Sequence, residues 1–107
     1  MREVDLDVFA SALAEGAVAI DVREPEEYAA GHVPGVRPAP LSELGDHLAS
    51  LPVDRPVYVI CASGNRSAWA AEHLEAAGVP AVSVAGGTSG WARGGRPVVR
   101  GSDAQAA

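Results

Sequence analysis

The chain has 107 residues, 48% of them apolar, enough for one compact core and too few for two ordinary domains. Its eight basic residues, all arginine, against fourteen acidic ones give a net charge of −6, a field that repels phosphate backbones and anionic membranes and argues against a nucleic-acid or membrane partner. No run approaches the ~18 apolar residues of a membrane span, and the acidic amino end "MREVDLDVF" lacks the basic and apolar regions of a signal peptide. A cytoplasmic location is therefore expected, and the single cysteine leaves a free thiol of the kind a reducing compartment permits.

Asp5 is placed to cap a helix in which Leu6, Phe9 and Leu13 recur at spacings of three and four, ending near Gly16. "AVAIDV", Ala17 to Val22, is a continuous apolar run rich in β-branched residues and predicts a strand covered on both faces. In "EPEEYAAG", Pro25 sits where a first helical turn tolerates it, the acids lie at the positive end of the dipole and Gly31 terminates, which predicts a short helix. The two prolines of "GVRPAP" confine that extended piece to the edge or end of a sheet. "LSELGDHLASL" predicts an amphipathic helix with Leu41, Leu44, Leu48 and Leu51 on one stripe and Gly45 weakening its middle.

"PVYVI", Pro56 to Ile60, is the strongest strand signal and is expected at the centre of the sheet. A helix is predicted from Ser67 to Ala77, closed by Gly78, with Trp69 or Ala70, Leu74 and Ala77 available to its inner face. "AVSVAGG" predicts a last short strand and "TSGWARGG" one helical turn. The domain is expected to span residues 1–100, because "GSDAQAA" at 101–107 has too little apolar content to be ordered. Strands separated by helices of this length predict an α/β fold, a central mostly parallel sheet with helices on both faces.

The seven residues "CASGNRS" stand between the strongest strand and the next helix, where open parallel sheets place their sites. A loop from Cys61 to Arg66 that turns back on itself aims successive N–H groups inward, above the positive end of the following helix. Such surroundings favour a thiolate without an adjacent histidine base. Gly64 suits left-handed or crowded backbone, and Asn65 also tolerates it. Arg66 adds a fixed positive charge whose fork fits a two-oxygen anion.

Three blocks carry a family resemblance. "DVREPEEYAAGHVPG", Asp21 to Gly35, "CASGNRS", Cys61 to Ser67, and "GGTSGW", Gly86 to Trp91, resemble the signatures of the rhodanese-like, or sulfurtransferase, domain family, in its order and at its spacings across roughly residues 4–99. The resemblance implies a parallel sheet of about five strands flanked by helices, and a catalytic Cys61 that carries sulfur as a persulfide. It further implies that Ala62, Ser63, Gly64, Asn65, Arg66 and Ser67 form the substrate-binding loop. The donor is then a small sulfur-containing anion such as thiosulfate, and the acceptor cyanide or a thiol. After Gly35 the chain departs from the family's usual pattern with "VRPAP", which puts the local strand in doubt.

Other readings compete. A sulfur-relay module working with a protein partner is compatible with so small a domain. A cysteine-dependent phosphatase or arsenate reductase is disfavoured because its C-x-x-x-x-x-R loop is one residue longer, whereas Arg66 follows Cys61 by five positions. Asp21 and Arg23 are expected one layer behind the loop, where a structural ion pair or a cap for the "EPEEY" turn explains them as well as a functional role does. His32 reads as a hydrogen-bonded turn residue, and Trp69 and Trp91 as packing residues. His32, His47, His73 and Cys61 show no paired zinc-type spacing, and a chain without lysine has no Walker loop, so no metal and no cofactor are expected.

Overall fold

The computed structural model describes residues 1–104. Strand β1, Arg2–Val4, leads into helix α1, Leu6–Ala14, whose N-cap Asp5 accepts the Val8 N–H at 2.9 Å. There follow β2, Val18–Asp21; α2, Pro25–Ala30; β3, Arg37–Pro38; a short α3, Leu44–His47; β4, Val57–Ile60; α4, Asn65–Ala76; β5, Ala81–Val84; and α5, Gly87–Arg93. The five strands form one sheet in the order β1-β5-β4-β2-β3, every pairing parallel. β4 is central, as its composition predicts, and the proline-bearing β3 is an edge strand of two residues.

Two clusters of buried side chains cover the two faces of the sheet. On one, Ile20, Val57 and Val59 pack with Leu44 and Leu51 and with Ala70, Ala71 and Leu74 of α4. On the other, Ile60 and Val84 pack with Phe9 of α1 and Trp91 of α5, whose rings meet edge to face at 5.7 Å. This two-sided covering is why β2, β4 and β5 read as continuous apolar runs. Among the described residues no helix is long and apolar enough to cross a membrane.

The structure departs from the sequence expectations in several places. The helix expected over 41–51 is broken into a 3-10 turn, Leu41–Glu43, the four residues of α3 and a second 3-10 turn, Leu48–Ser50. Gly45 lies in its weak middle, yet the leucine stripe still faces the core. α4 begins at Asn65, two residues before the expected Ser67, because Gly64 at φ 114° takes the N-cap position. Its inner face is Ala70, Ala71 and Leu74, whereas Trp69 is 52% exposed and stacks on His73 one turn away at 4.5 Å. Ala77, too, is exposed. Of the expected tail, Gly101 donates to the Ala29 carbonyl and Gly35 donates to that of Ala104, so the buried turn around His32 supplies partners that composition does not reveal. Residues 105–107 lie outside the described residues.

Candidate active site

Cys61 follows the last residue of β4 and is only 1% exposed. Its Sγ accepts the Gly64 N–H at 3.1 Å and lies 3.5 Å from the Ser67 hydroxyl. The positive φ of Gly64 turns the chain there, and α4 then places the Ser67 N–H towards the sulfur. Burial is the strongest single influence on the thiol and opposes ionisation. The Ser67 hydroxyl and the backbone N–H groups of Ser67, Gly64 and Ser63 outweigh it, so the Cys61 pKa falls below its ordinary value.

The other loop residues have distinct placements. The Ala62 carbonyl accepts the Ser89 N–H at 3.0 Å, and the Cys61 carbonyl accepts that of Thr88 at 2.8 Å, so the start of α5 grips the loop from behind. Ser63 and Asn65 are exposed. Arg66 reaches Glu27 of α2 through two parallel bonds of 2.7 and 3.0 Å. These bonds are the leading reason that the Glu27 pKa falls from 4.5 to about 2, and Glu27 in turn raises that of Arg66.

Asp21 and Arg23 form a buried forked ion pair, closest at 2.8 Å, and Arg23 also donates to the Gly31 carbonyl at 2.8 Å. In the sheet register Asp21 lies opposite Ile60, so the pair stands beside the base of the loop and fixes the turn into α2. Arg23 adds to the lowering at Glu27. His32 is fully buried, stacked on Tyr28 at 3.7 Å, with its ring nitrogens 2.8 and 2.9 Å from the carbonyls of Tyr28 and Asp103. These partners make it a turn anchor, as read from the sequence.

Three residues around the loop escape sequence reasoning. Glu27, paired with Arg66 from 39 positions away, has no local signal. Ser83 of β5, fully buried, contacts the Ser67 hydroxyl at 2.9 Å, and its one signal is a polar residue inside the apolar strand "AVSV". Thr88 stands on the wall of a cleft of about 390 Å³, with Arg23, Glu27 and Ser89, and its buried Oγ1 has no protein partner. A larger cleft of about 480 Å³ lies at the opposite end of the sheet, beside Gly16, Arg55 and Tyr58, away from Cys61.

A sequence model described as the rhodanese-like domain matches residues 5–93. This chain belongs to the rhodanese-like domain family. A curated relative from Pseudomonas entomophila, named thiosulfate sulfurtransferase GlpE, is 39% identical over 79 residues, 73% of this chain and 72% of that protein. A rhodanese-related protein from Thermoplasma volcanium superposes with a TM-score of 0.84 at 36% identity, over 92% of this chain and 98% of that one. A rhodanese-like domain protein from Staphylococcus aureus does so with a TM-score of 0.80 at 36% identity, over 85% and 91%. The rhodanese-like fold expected from the three signature blocks, with its parallel five-stranded sheet, is thus present.

Proposed function

We propose that this protein is a rhodanese-type sulfurtransferase that takes sulfane sulfur from thiosulfate onto Cys61 and delivers it to cyanide or a thiol. The observation that carries the proposal is the Cys61 sulfur, held at 3.1 Å by the Gly64 amide in a loop at the end of the central strand. In the first step the Cys61 thiolate attacks the terminal sulfur of thiosulfate. The S–S bond breaks, and sulfite departs with its electron pair. Sulfite is a stable anion and needs no proton from the protein, which accounts for a site built from amides and a hydroxyl with no histidine base. In the second step an acceptor thiolate or cyanide attacks the outer sulfur of the Cys61 persulfide, and Cys61 leaves as the thiolate.

The N–H groups that favour the thiolate equally favour the anionic persulfide. At 1% exposure, Cys61 is reached by a protruding terminal sulfur more readily than by a tetrahedral phosphoryl centre surrounded by oxygens. The cleft lined by Arg23, Glu27, Thr88 and Ser89 meets the loop through Thr88 and Ser89, whose N–H groups bond the carbonyls of Cys61 and Ala62, and offers space for the rest of the donor or the acceptor. Steady-state kinetics with thiosulfate and cyanide test the reading. Parallel double-reciprocal lines, with turnover abolished in Cys61→Ser, are expected; turnover that survives the substitution overturns it.

A second reading, sulfur relay to a protein partner, is favoured by Trp69. This large side chain is 52% exposed on α4, three residues beyond Arg66. Under this reading Trp69→Ala slows transfer from a protein persulfide and leaves thiosulfate turnover unchanged. Equal rates with both donors count against it.

A further inference from the structure

Ser67 and Ser83 are both fully buried, and the Ser83 hydroxyl has one protein partner among the described residues, the Ser67 oxygen at 2.9 Å. A hydroxyl carries one proton and two acceptor positions. Were Ser67 the donor of this bond, the Ser83 proton would be left buried without an acceptor, at a cost of about 1–3 kcal/mol. Ser83 is therefore the donor, and the Ser67 proton is free for another acceptor.

Two acceptors stand within reach of it: the Gly64 carbonyl at 3.0 Å and the Cys61 sulfur at 3.5 Å. While Cys61 is a thiol, its own S–H points to the Ser67 oxygen and the Ser67 proton goes to Gly64. Once the S–H proton leaves for solvent, that bond is gone and an anion faces the hydroxyl. The Ser67 proton can then turn from a neutral carbonyl to a charged sulfur, a stronger partner. No covalent bond other than the ionising S–H is made or broken.

We propose that Ser83 is a positioning residue for the reacting sulfur: by donating to Ser67 from behind, it holds that hydroxyl so that its proton switches from the Gly64 carbonyl to Cys61 when the thiol ionises. The proposal rests on Cys61 as the reacting group and concerns a residue of β5, five positions before Thr88 and outside the signature block that marks the site. Because Ser83 never touches the sulfur, its influence passes through Ser67. Chains of hydrogen bonds polarise one another in a low-dielectric interior, so the far donor strengthens the near one.

The test is the pH dependence of Cys61 ionisation, followed by ultraviolet thiolate absorbance and by alkylation rate. The chain's one cysteine makes either signal unambiguous. Ser83→Thr and Ser83→Val have the same shape and differ by the hydroxyl, so both report even where Ser83→Ala is too unstable to study. Thr is expected to keep the wild-type midpoint and Val to raise it by about half a pH unit, a roughly threefold loss of thiolate below the midpoint. In a Ser67→Ala background the Thr and Val variants are expected to titrate together, since the path through Ser67 is gone. Equal midpoints for Thr and Val with Ser67 present overturn the proposal, as does a difference that survives Ser67→Ala. The titration uses no sulfur donor, so a failure of thiosulfate turnover leaves its result intact, and the two claims fail separately.

Discussion

Gly87 lies so close to the Cys61–Ser67 loop that a Cβ at that position would stand 2.5 Å from the carbonyl oxygens of both Cys61 and Ala62. Its φ of 57° is also one that side-chain-bearing residues rarely adopt. The following two N–H groups, of Thr88 and Ser89, bond those same carbonyls. Gly87 thus lets the backbone of α5 press against the loop and fix its carbonyls.

Gly87→Ala is accordingly expected to cost at least about 2 kcal/mol of stability, combining backbone strain with a contact that cannot relax without moving the loop. Urea unfolding measures it. A loss below about 0.5 kcal/mol would show that α5 and the loop are not tightly joined.

Arg66 and Glu27 tie the loop to α2, and their roles separate by substitution. The pair is about one-third exposed on each side, so its contribution to stability is at most about 1 kcal/mol. Its greater value is positional: Arg66→Ala and Glu27→Gln are each expected to lower kcat/KM for thiosulfate about tenfold by loosening the loop. Arg66→Lys keeps the charge and loses the fork, and should recover only part of the rate. Wild-type kcat/KM in Glu27→Gln would show that the tie does not govern the site.

The same pair predicts an acid response. Glu27 is lowered from 4.5 to about 2 when folded, chiefly by its bond from Arg66, so its contribution is fully present above about pH 4.5 and is lost as the pH falls towards 2. The stability difference between wild type and Glu27→Gln should therefore narrow over that window. A constant difference across it contradicts the assignment.

Cys61 responds to pH with the same sign as Glu27. Its pKa is lowered in the fold although burial opposes this, so stability should rise as the pH climbs through the folded value towards the unfolded one, and Cys61→Ser should abolish that increment. Alkylation of the native protein should reach its plateau at a lower pH than that of the urea-unfolded chain. Coincident profiles would mean that the amides and Ser67 do not favour the thiolate.

The strands that pack on both faces are legible because burial demands apolar, β-branched residues: "AVAIDV", "PVYVI" and "AVSV" all form strands. β1 is not legible, since Arg2 and Glu3 are exposed and only pairing with Val82 and Ser83 makes the segment a strand. The break in the 41–51 helix is hidden for the opposite reason, because its leucines keep helical spacing and face the core through 3-10 turns. At the site, Cys61, Gly64 and Ser67 announce themselves as one contiguous loop. Glu27, Ser83 and Thr88 come from three other elements, and only the sheet order brings them to it. By its size Trp69 reads as a packing residue, yet the turn of α4 set by Gly64 puts Ala70 inward and Trp69 outward.

The most direct test of the central claim is the intact mass of the protein after incubation with thiosulfate and removal of excess donor. The account predicts a gain of one sulfur atom, reversed by cyanide with release of thiocyanate and absent in Cys61→Ser. An unchanged mass for the folded wild-type protein, with Cys61 reduced and the donor verified as competent, would contradict it.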